Sequence, residues 1–277
     1  MRSQRSFTRA CRAGGKSILI VALLVLWIGV TIPSAGSVTD YRRVTYEYTV
    51  AEVIAAAEHD LESTLAPYRS AGQLNRETRA LGRVRHAFAA LIKVAMHERP
   101  DSRSLTWRVY LHDGRMPEAY SRAGGQIVLS AGFLERYDPD DAQLAFIIGH
   151  EIAHVLCEHE RIRLSAVWKR NAPQQLRAQY AMEYLDTEPM VRAQIASVAN
   201  AQERTADRIG LELAAAIGAD PLDALLFFNK SAATEGGGIM PDVHDPAVER
   251  KAALLQDLSA PAGLLKIRQR HRLNCSP

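Results

Sequence analysis

Cysteine is scarce, with three residues in a chain of 277. Cys11 stands in a basic N-terminal stretch, so only Cys157 and Cys275 belong to the body of the protein. Two thiols are too few for a disulfide-built framework; oxidising conditions can join them, a pairing that sequence alone does not decide. Clustered positive charge is also lacking. The net charge of +3 includes Arg2, Arg5, Arg9, Arg12 and Lys16 with no acidic residue among them, and removing those five leaves a body of −2. Nucleic acid binding needs a basic face that neutralises phosphates. The other basic group, around Lys266, Arg268, Arg270 and Arg272, reads as a solvated terminal tail, so no nucleic-acid partner is expected. Internal repeats and low-complexity tracts are absent as well. What remains is an ordinary globular composition, 47% hydrophobic and 23% charged, enough to bury one large domain or two small ones.

Directly after the basic stretch comes an apolar run from Ser17 to Ile32 that ends at Pro33-Ser34-Ala35-Gly36-Ser37. This is the pattern of a membrane-targeting segment. Its length lies between a secretory core and the roughly 17 to 25 residues of a spanning helix, so cleavage and retention are both open, with the retained anchor preferred. Either way the positive charges stay on the cytoplasmic side and the chain beyond residue 38 is exported. A mitochondrial leader, also rich in arginine and poor in acids, is the competing reading.

Further along, Val50, Val53, Ile54, Leu61 and Leu65 form an apolar helical stripe ending near Pro67. Leu81, Val84, Phe88, Leu91, Ile92 and Ala95 form a second. The segment Leu105–His112 alternates at period two and is followed by Asp113-Gly114, so it reads as a half-buried strand. Gly124-Gly125 introduces a short strand over Gln126–Ser130. Asp138 is the cap candidate and Pro139 the first residue of a helix that runs past His154. After residue 142 the pattern is helix and loop. The stretch Trp168–Ala201, with Pro173 and Pro189, reads as a lid or as an ordinary helical connector.

The chemistry concentrates in His150-Glu151-Ile152-Ala153-His154. Histidines four apart project from one helix face a single turn from each other, close enough to bind one zinc through neutral imidazoles. Zinc lowers the pKa of a bound water from 15.7 to about 7, and the adjacent Glu151 is placed to take its proton as a base. Leu144, Phe146, Ile147, Ile148, Ile152, Val155 and Leu156 make this helix apolar nearly all round, so the polar trio is buried and needs partners. A metal satisfies it; core histidines with ordinary partners are the plainer alternative. Glu203-Arg204-Thr205-Ala206-Asp207 offers a third ligand in Glu203 and, one turn on, Asp207 as acceptor for the N–H of a ligand histidine. An exposed charged face is the alternative there. Cys157, about 10 Å beyond His150 along a helix, is too far to share that metal and reads as small-residue packing beneath the site.

These residues, with Gly124–Leu129, Gly132-Phe133-Leu134, the continuation Arg208–Leu213, Gly218–Pro221 and His244-Asp245-Pro246 up to Arg250, carry a resemblance. The stretch from about Ala119 to Arg250 resembles the gluzincin family of membrane and periplasmic metallopeptidases that includes CAAX prenyl protease and HtpX, and within it the Oma-, BepA- and LoiP-type branch. The resemblance implies an α+β, mostly helical zincin-like domain with a small sheet and a buried active-site helix. It implies that His150, His154 and Glu203 bind one Zn2+, that Glu151 is the general base, and that Asp207 supports the ligands. His244 steadies the oxyanion and Arg250 supports its loop. Ile127, Val128 and Leu129 form the substrate-binding edge strand, where an extended polypeptide adds by backbone pairing. Two positions depart from the family: Asp245 where proline is usual, and Glu118-Ala119-Tyr120 where Asn-Ala-Phe is usual. The chain is then expected to divide into a leader and signal segment (1–37), packing helices (38–100), a zinc peptidase core (101–258) and a tail (259–277). Its function is expected to be endoproteolysis of exported, unfolded envelope proteins, in the periplasm or anchored to the inner membrane, with the mitochondrial inner membrane as alternative location. A zinc-containing holdase without catalysis and a metal-free helical scaffold are the rival classes.

Overall fold

The helix bearing the histidine pair, α4 (Asp141–Leu156), is buried at nearly every position, and the other elements are arranged round it. In this computed structural model residues 46–170, 176–235, 247–259, 263 and 273–275 are described, and all of them lie in one compact unit spanning Ser37–Pro277. The hydrophobic run at residues 17–32 therefore lies outside the described residues, as do residues 236–246. No helix among the described residues is long and apolar enough to cross a membrane.

α4 starts at a reciprocal cap. The Asp140 carboxylate accepts from the Gln143 N–H, and the Gln143 side chain accepts from the Asp140 N–H. The expected start at Asp138 and Pro139 is thus two residues early. Asp138 has φ of 37° and closes the preceding helix α3 (Ala131–Tyr137) instead, a left-handed position that a short acidic side chain tolerates.

The amphipathic helices read ahead of the motif are α1 (Val50–Ser70) and α2 (Arg79–Glu98). Thr49 caps α1 together with Glu52. The helix continues past Pro67, because a proline in the last turn removes only one bond and the Pro67 carbonyl still accepts from Ala71. α2 buries Leu81, Val84, Leu91, Ile92 and Ala95 against α4.

Three strands form the sheet: β1 (Arg108–His112), β2 (Ala119–Arg122) and β3 (Gln126–Ser130), in the order β1-β3-β2. The strand read over Leu105–His112 is regular only from Arg108, and Leu111 and His112 are both buried instead of alternating. β3 pairs in parallel with β1 (Val109 opposite Ile127) and antiparallel with β2 (Ser121 opposite Ile127). Ile127, Val128 and Leu129 were expected at the sheet's edge, and this is corrected: they lie in its central strand. Both flanks of β3 are taken by neighbours, and both faces are covered. Ile127 and Leu129 join the main core with α4, while Val128 packs on Leu61 and Leu65 of α1. β2, with its single pairing among the described residues, is the edge strand next to α4.

Beyond α4 the chain is helical among the described residues. α5 (His159–Arg170), α6 (Ala178–Thr187) and α7 (Pro189–Gln194) lead into α8 (Ala196–Ala216). α6 packs on α1 and α5 round Val53, Leu164, Ala181 and Met182, the arrangement of a packed connector. α9 (Pro221–Leu225), α10 (Phe227–Glu235) and α11 (Ala247–Ser259) close the far side of α4 and α8. Cys157, read as a packing residue, caps the C-terminus of α4 and is disulfide-bonded to Cys275 across 118 residues. The segment carrying Cys275 lies over that helix end, where sequence spacing gives no indication of it.

α8 makes the most extensive contact with α4, and two glycines permit it. A Cβ on Gly149 would stand 2.8 Å from the Gly210 carbonyl oxygen, and one on Gly210 would stand 2.6 Å from the His150 nitrogen. Any side chain at either place forces the two backbones apart. We expect Gly210→Ala to cost about 1–3 kcal/mol through overpacking, read as a lower unfolding midpoint in urea. An unchanged midpoint would mean that the two helices separate freely.

Candidate metal centre

α4 presents His150 and His154 one turn apart, and α8 faces them with Glu203 and Asp207, also one turn apart. Nε2 of His150 lies 3.0 Å from Nε2 of His154 and 3.3 Å from Oε2 of Glu203, and His154 Nε2 lies 3.3 Å from Glu203 Oε1. These ligand atoms all lie within 4.8 Å of one another. A tetrahedral zinc with bonds of about 2.0–2.1 Å separates its ligand atoms by roughly 3.3 Å, so the three side chains fit one such ion with little adjustment. The reading of Glu203–Asp207 as an exposed charged face does not hold, since both carboxylates are buried.

The cluster is backed by further polar groups. His150 Nδ1 lies 3.0 Å from Asp207 Oδ1. Asp207 in turn accepts two bonds from Arg250, from Nε at 2.8 Å and from Nη2 at 2.6 Å, and Arg250 Nη2 also lies 3.4 Å from Glu203 Oε2. Phe228 packs against that guanidinium. Arg250 thus acts on the carboxylates of α8. The loop it was expected to support, with His244, lies outside the described residues. His154 Nδ1 lies 3.0 Å from Nδ1 of His159, and Glu151 Oε2 accepts from the Ser121 hydroxyl of β2 at 2.9 Å.

Sequence reasoning missed His159 and Ser121. On a continuous helix, a residue five beyond His154 would face away from it. However, α4 stops at Leu156 and Glu158 adopts φ of 52°, which turns His159 back beneath the ligand. Ser121 is ordinary in sequence and becomes informative only once β2 lies beside α4. The neighbouring Arg122 pairs with Asp60 of α1, Glu160 of α5 and Asp186 of α6, and Glu160 also accepts from the Ala123 N–H at 2.6 Å. These bonds hold the end of β2 to three helices.

Electrostatically the cluster is a set of buried charges that neutralise one another. Burial disfavours the charged form of His150, but hydrogen bonds to Asp207 and Glu203 outweigh it and raise its pKa to about 10. Burial lowers His154 despite the attraction of Glu203. For Glu203 burial acts upward, yet the charges and hydrogen bonds of His154 and His150 hold it well below the usual carboxylate range. Asp207 is lowered in the same way, burial being outweighed by Arg250. Without metal, then, the site holds one proton on His150, balancing Glu203 as Arg250 balances Asp207.

Two imidazoles and a carboxylate that could hold one ion, with a second carboxylate on the same helix turn, suit the chemistry of a metal-dependent hydrolase. The sequence model of peptidase family M48 matches residues 77–257, most of the chain, and the protein belongs to that family of metal-dependent peptidases. A search of curated proteins finds no match to the chain.

Because a metal must displace the proton on His150, and that proton stays bound up to about pH 10, zinc affinity should rise with pH. The expected slope is about tenfold per unit between roughly pH 6 and 8. Competition against a chelator at several pH values checks this, and a flat profile would contradict it.

Proposed function

We propose that this chain is a zinc endopeptidase of the Oma-, BepA- and LoiP-type branch that hydrolyses exported, unfolded polypeptides, with Glu151 as general base. One observation carries the reading: His150, His154 and Glu203 converge on a single point, while Glu151 is fixed beside them by Ser121. Two imidazoles and one carboxylate suit zinc among the common divalent ions. Held there, zinc supplies Lewis acidity toward a water and toward the scissile carbonyl.

The remaining chemistry belongs to the chain's own side chains. Glu151 takes the proton of the attacking water on its carboxylate and returns it to the leaving amine. Ser121 engages Oε2 of that carboxylate and so limits its rotation. Asp207, held by Arg250, fixes the ring of His150 so that Nε2 faces the metal. His244 is proposed to steady the developing oxyanion.

For the substrate backbone, β2 takes the place first read for β3. The Glu118 carbonyl accepts from Ser130 on the β3 side, so by strand alternation Tyr120 and Arg122 pair inward while Ala119 and Ser121 turn their backbone groups outward. A polypeptide added along that edge is recognised through its main chain, which tolerates many sequences. An oxidising compartment outside the cytoplasm is supported by the Cys157–Cys275 disulfide. The membrane partner rests on residues 17–32.

Glu151→Gln should keep one zinc per chain and lose about 10²–10⁴-fold in cleavage of casein; equal cleavage would remove Glu151 as base. A zinc-loaded wild type that binds casein without cutting it would favour the holdase class. Separately, Glu203→Ala should lose zinc by metal analysis, and unchanged zinc content would exclude Glu203 as a ligand.

A further inference from the structure

We infer that His159 is a positioning residue that selects the metal-binding tautomer of His154, an inference resting on the reading of His154 as a zinc ligand. The starting observation is a contact between two like atoms. Nδ1 of His159 lies 3.0 Å from Nδ1 of His154, with the rings edge to face at a centroid distance of 4.8 Å. Such a pair is a hydrogen bond only if one nitrogen carries the hydrogen and the other does not. Nε2 of His154 is committed on its other side to the point shared with His150 and Glu203. A ligand through Nε2 must be free of hydrogen there, so the hydrogen of His154 belongs on Nδ1, and His159 Nδ1 is its acceptor.

That assignment leaves the hydrogen of His159 on Nε2. This atom is buried and meets no hydrogen-bond partner among the described residues, and the His159 side chain is fully enclosed. A buried N–H without an acceptor is costly, and the opposite tautomer of His159 would not relieve it without stripping His154 of its ligand form. The ring is oriented for the sake of its Nδ1. Its backbone is secured from the ligand-bearing helix as well: Gln202, the residue before Glu203, donates from Nε2 to the His159 carbonyl at 3.0 Å.

The two zinc-binding histidines are therefore backed by different chemistry. His150 has a carboxylate behind it in Asp207; His154 has a neutral imidazole. The difference follows from charge. Glu151, Glu203 and Asp207 are already buried round the site, with Arg250 of α11 paired to Asp207, and a further carboxylate at position 159 would be a fourth buried negative charge there. An imidazole accepts the same hydrogen bond without one.

The test compares two substitutions of nearly equal shape in the full chain. In His159→Asn the amide oxygen occupies the place of Nδ1 and still accepts; in His159→Leu a methyl group stands there. Both leave a similar cavity, so packing losses cancel in the comparison, and folding of each is checked by circular dichroism. Should the Leu variant not fold, His159→Met replaces it as the variant without an acceptor. Zinc affinity, measured by chelator competition, should fall about 10–100-fold in the variant without an acceptor and stay within roughly threefold of the parent in His159→Asn. Equal affinity in the parent and the acceptor-free variant, or equal loss in both variants, overturns the role of His159 and leaves the zinc reading intact. A parent protein that takes up no zinc overturns both.

Discussion

Between α4 and α8 no side chain separates Gly149 from Gly210, so two helix backbones touch at the level of the first histidine ligand. Much of the site depends on that contact. It sets α8 close enough for Glu203 to reach both imidazoles and for Asp207 to reach the back of one. It also draws two carboxylates into a core that excludes water, where each must be compensated. Arg250 answers Asp207, and the proton on His150 answers Glu203 until a metal takes its place. Metal binding at this centre is an exchange of one buried cation for another, in a pocket arranged to hold positive charge.

The sheet serves the same centre from the opposite side. β3 gives up both edges and both faces to hold the sheet in the core, which leaves β2 to border α4. β2 is short and its four residues are only half buried, yet Arg122 ties its end to three carboxylates on three helices. Burial would penalise that guanidinium, but Glu160, Asp186 and Asp60 together keep it charged. The strand that carries Ser121 is thereby fixed at the point where it holds Glu151.

How much of this was legible in the sequence depended on whether a feature is local. The histidine pair with Glu151 beside it follows from helical spacing, and the stripes of α1 and α2 from apolar periodicity, so these elements could be read directly. Glu203 and Asp207 were legible only as candidates, since an acidic pair four apart is equally the pattern of an exposed helix face, and it was the family resemblance that singled them out. Strand order was not, since a fully buried five-residue run such as Gln126–Ser130 has the same pattern whether its neighbours lie on one side or two. The start of α4 was misplaced because Asp138 and Asp140 are equally good caps in composition, and only the reciprocal bond with Gln143 separates them. His159 was hidden by a left-handed glutamate, a conformation that sequence does not advertise outside glycine and short polar residues such as asparagine and aspartate.

The disulfide between Cys157 and Cys275 closes a covalent ring round everything from the end of α4 to the far side of α11. Glu203, Asp207 and Arg250 lie inside that ring, while His150, Glu151 and His154 lie just before it. A molecule whose work is to cut polypeptides is exposed to copies of itself. A single backbone cut anywhere between the two cysteines would leave its two fragments bonded to each other, and a cut ahead of Glu203 would still keep that carboxylate tethered to the half bearing His150 and His154.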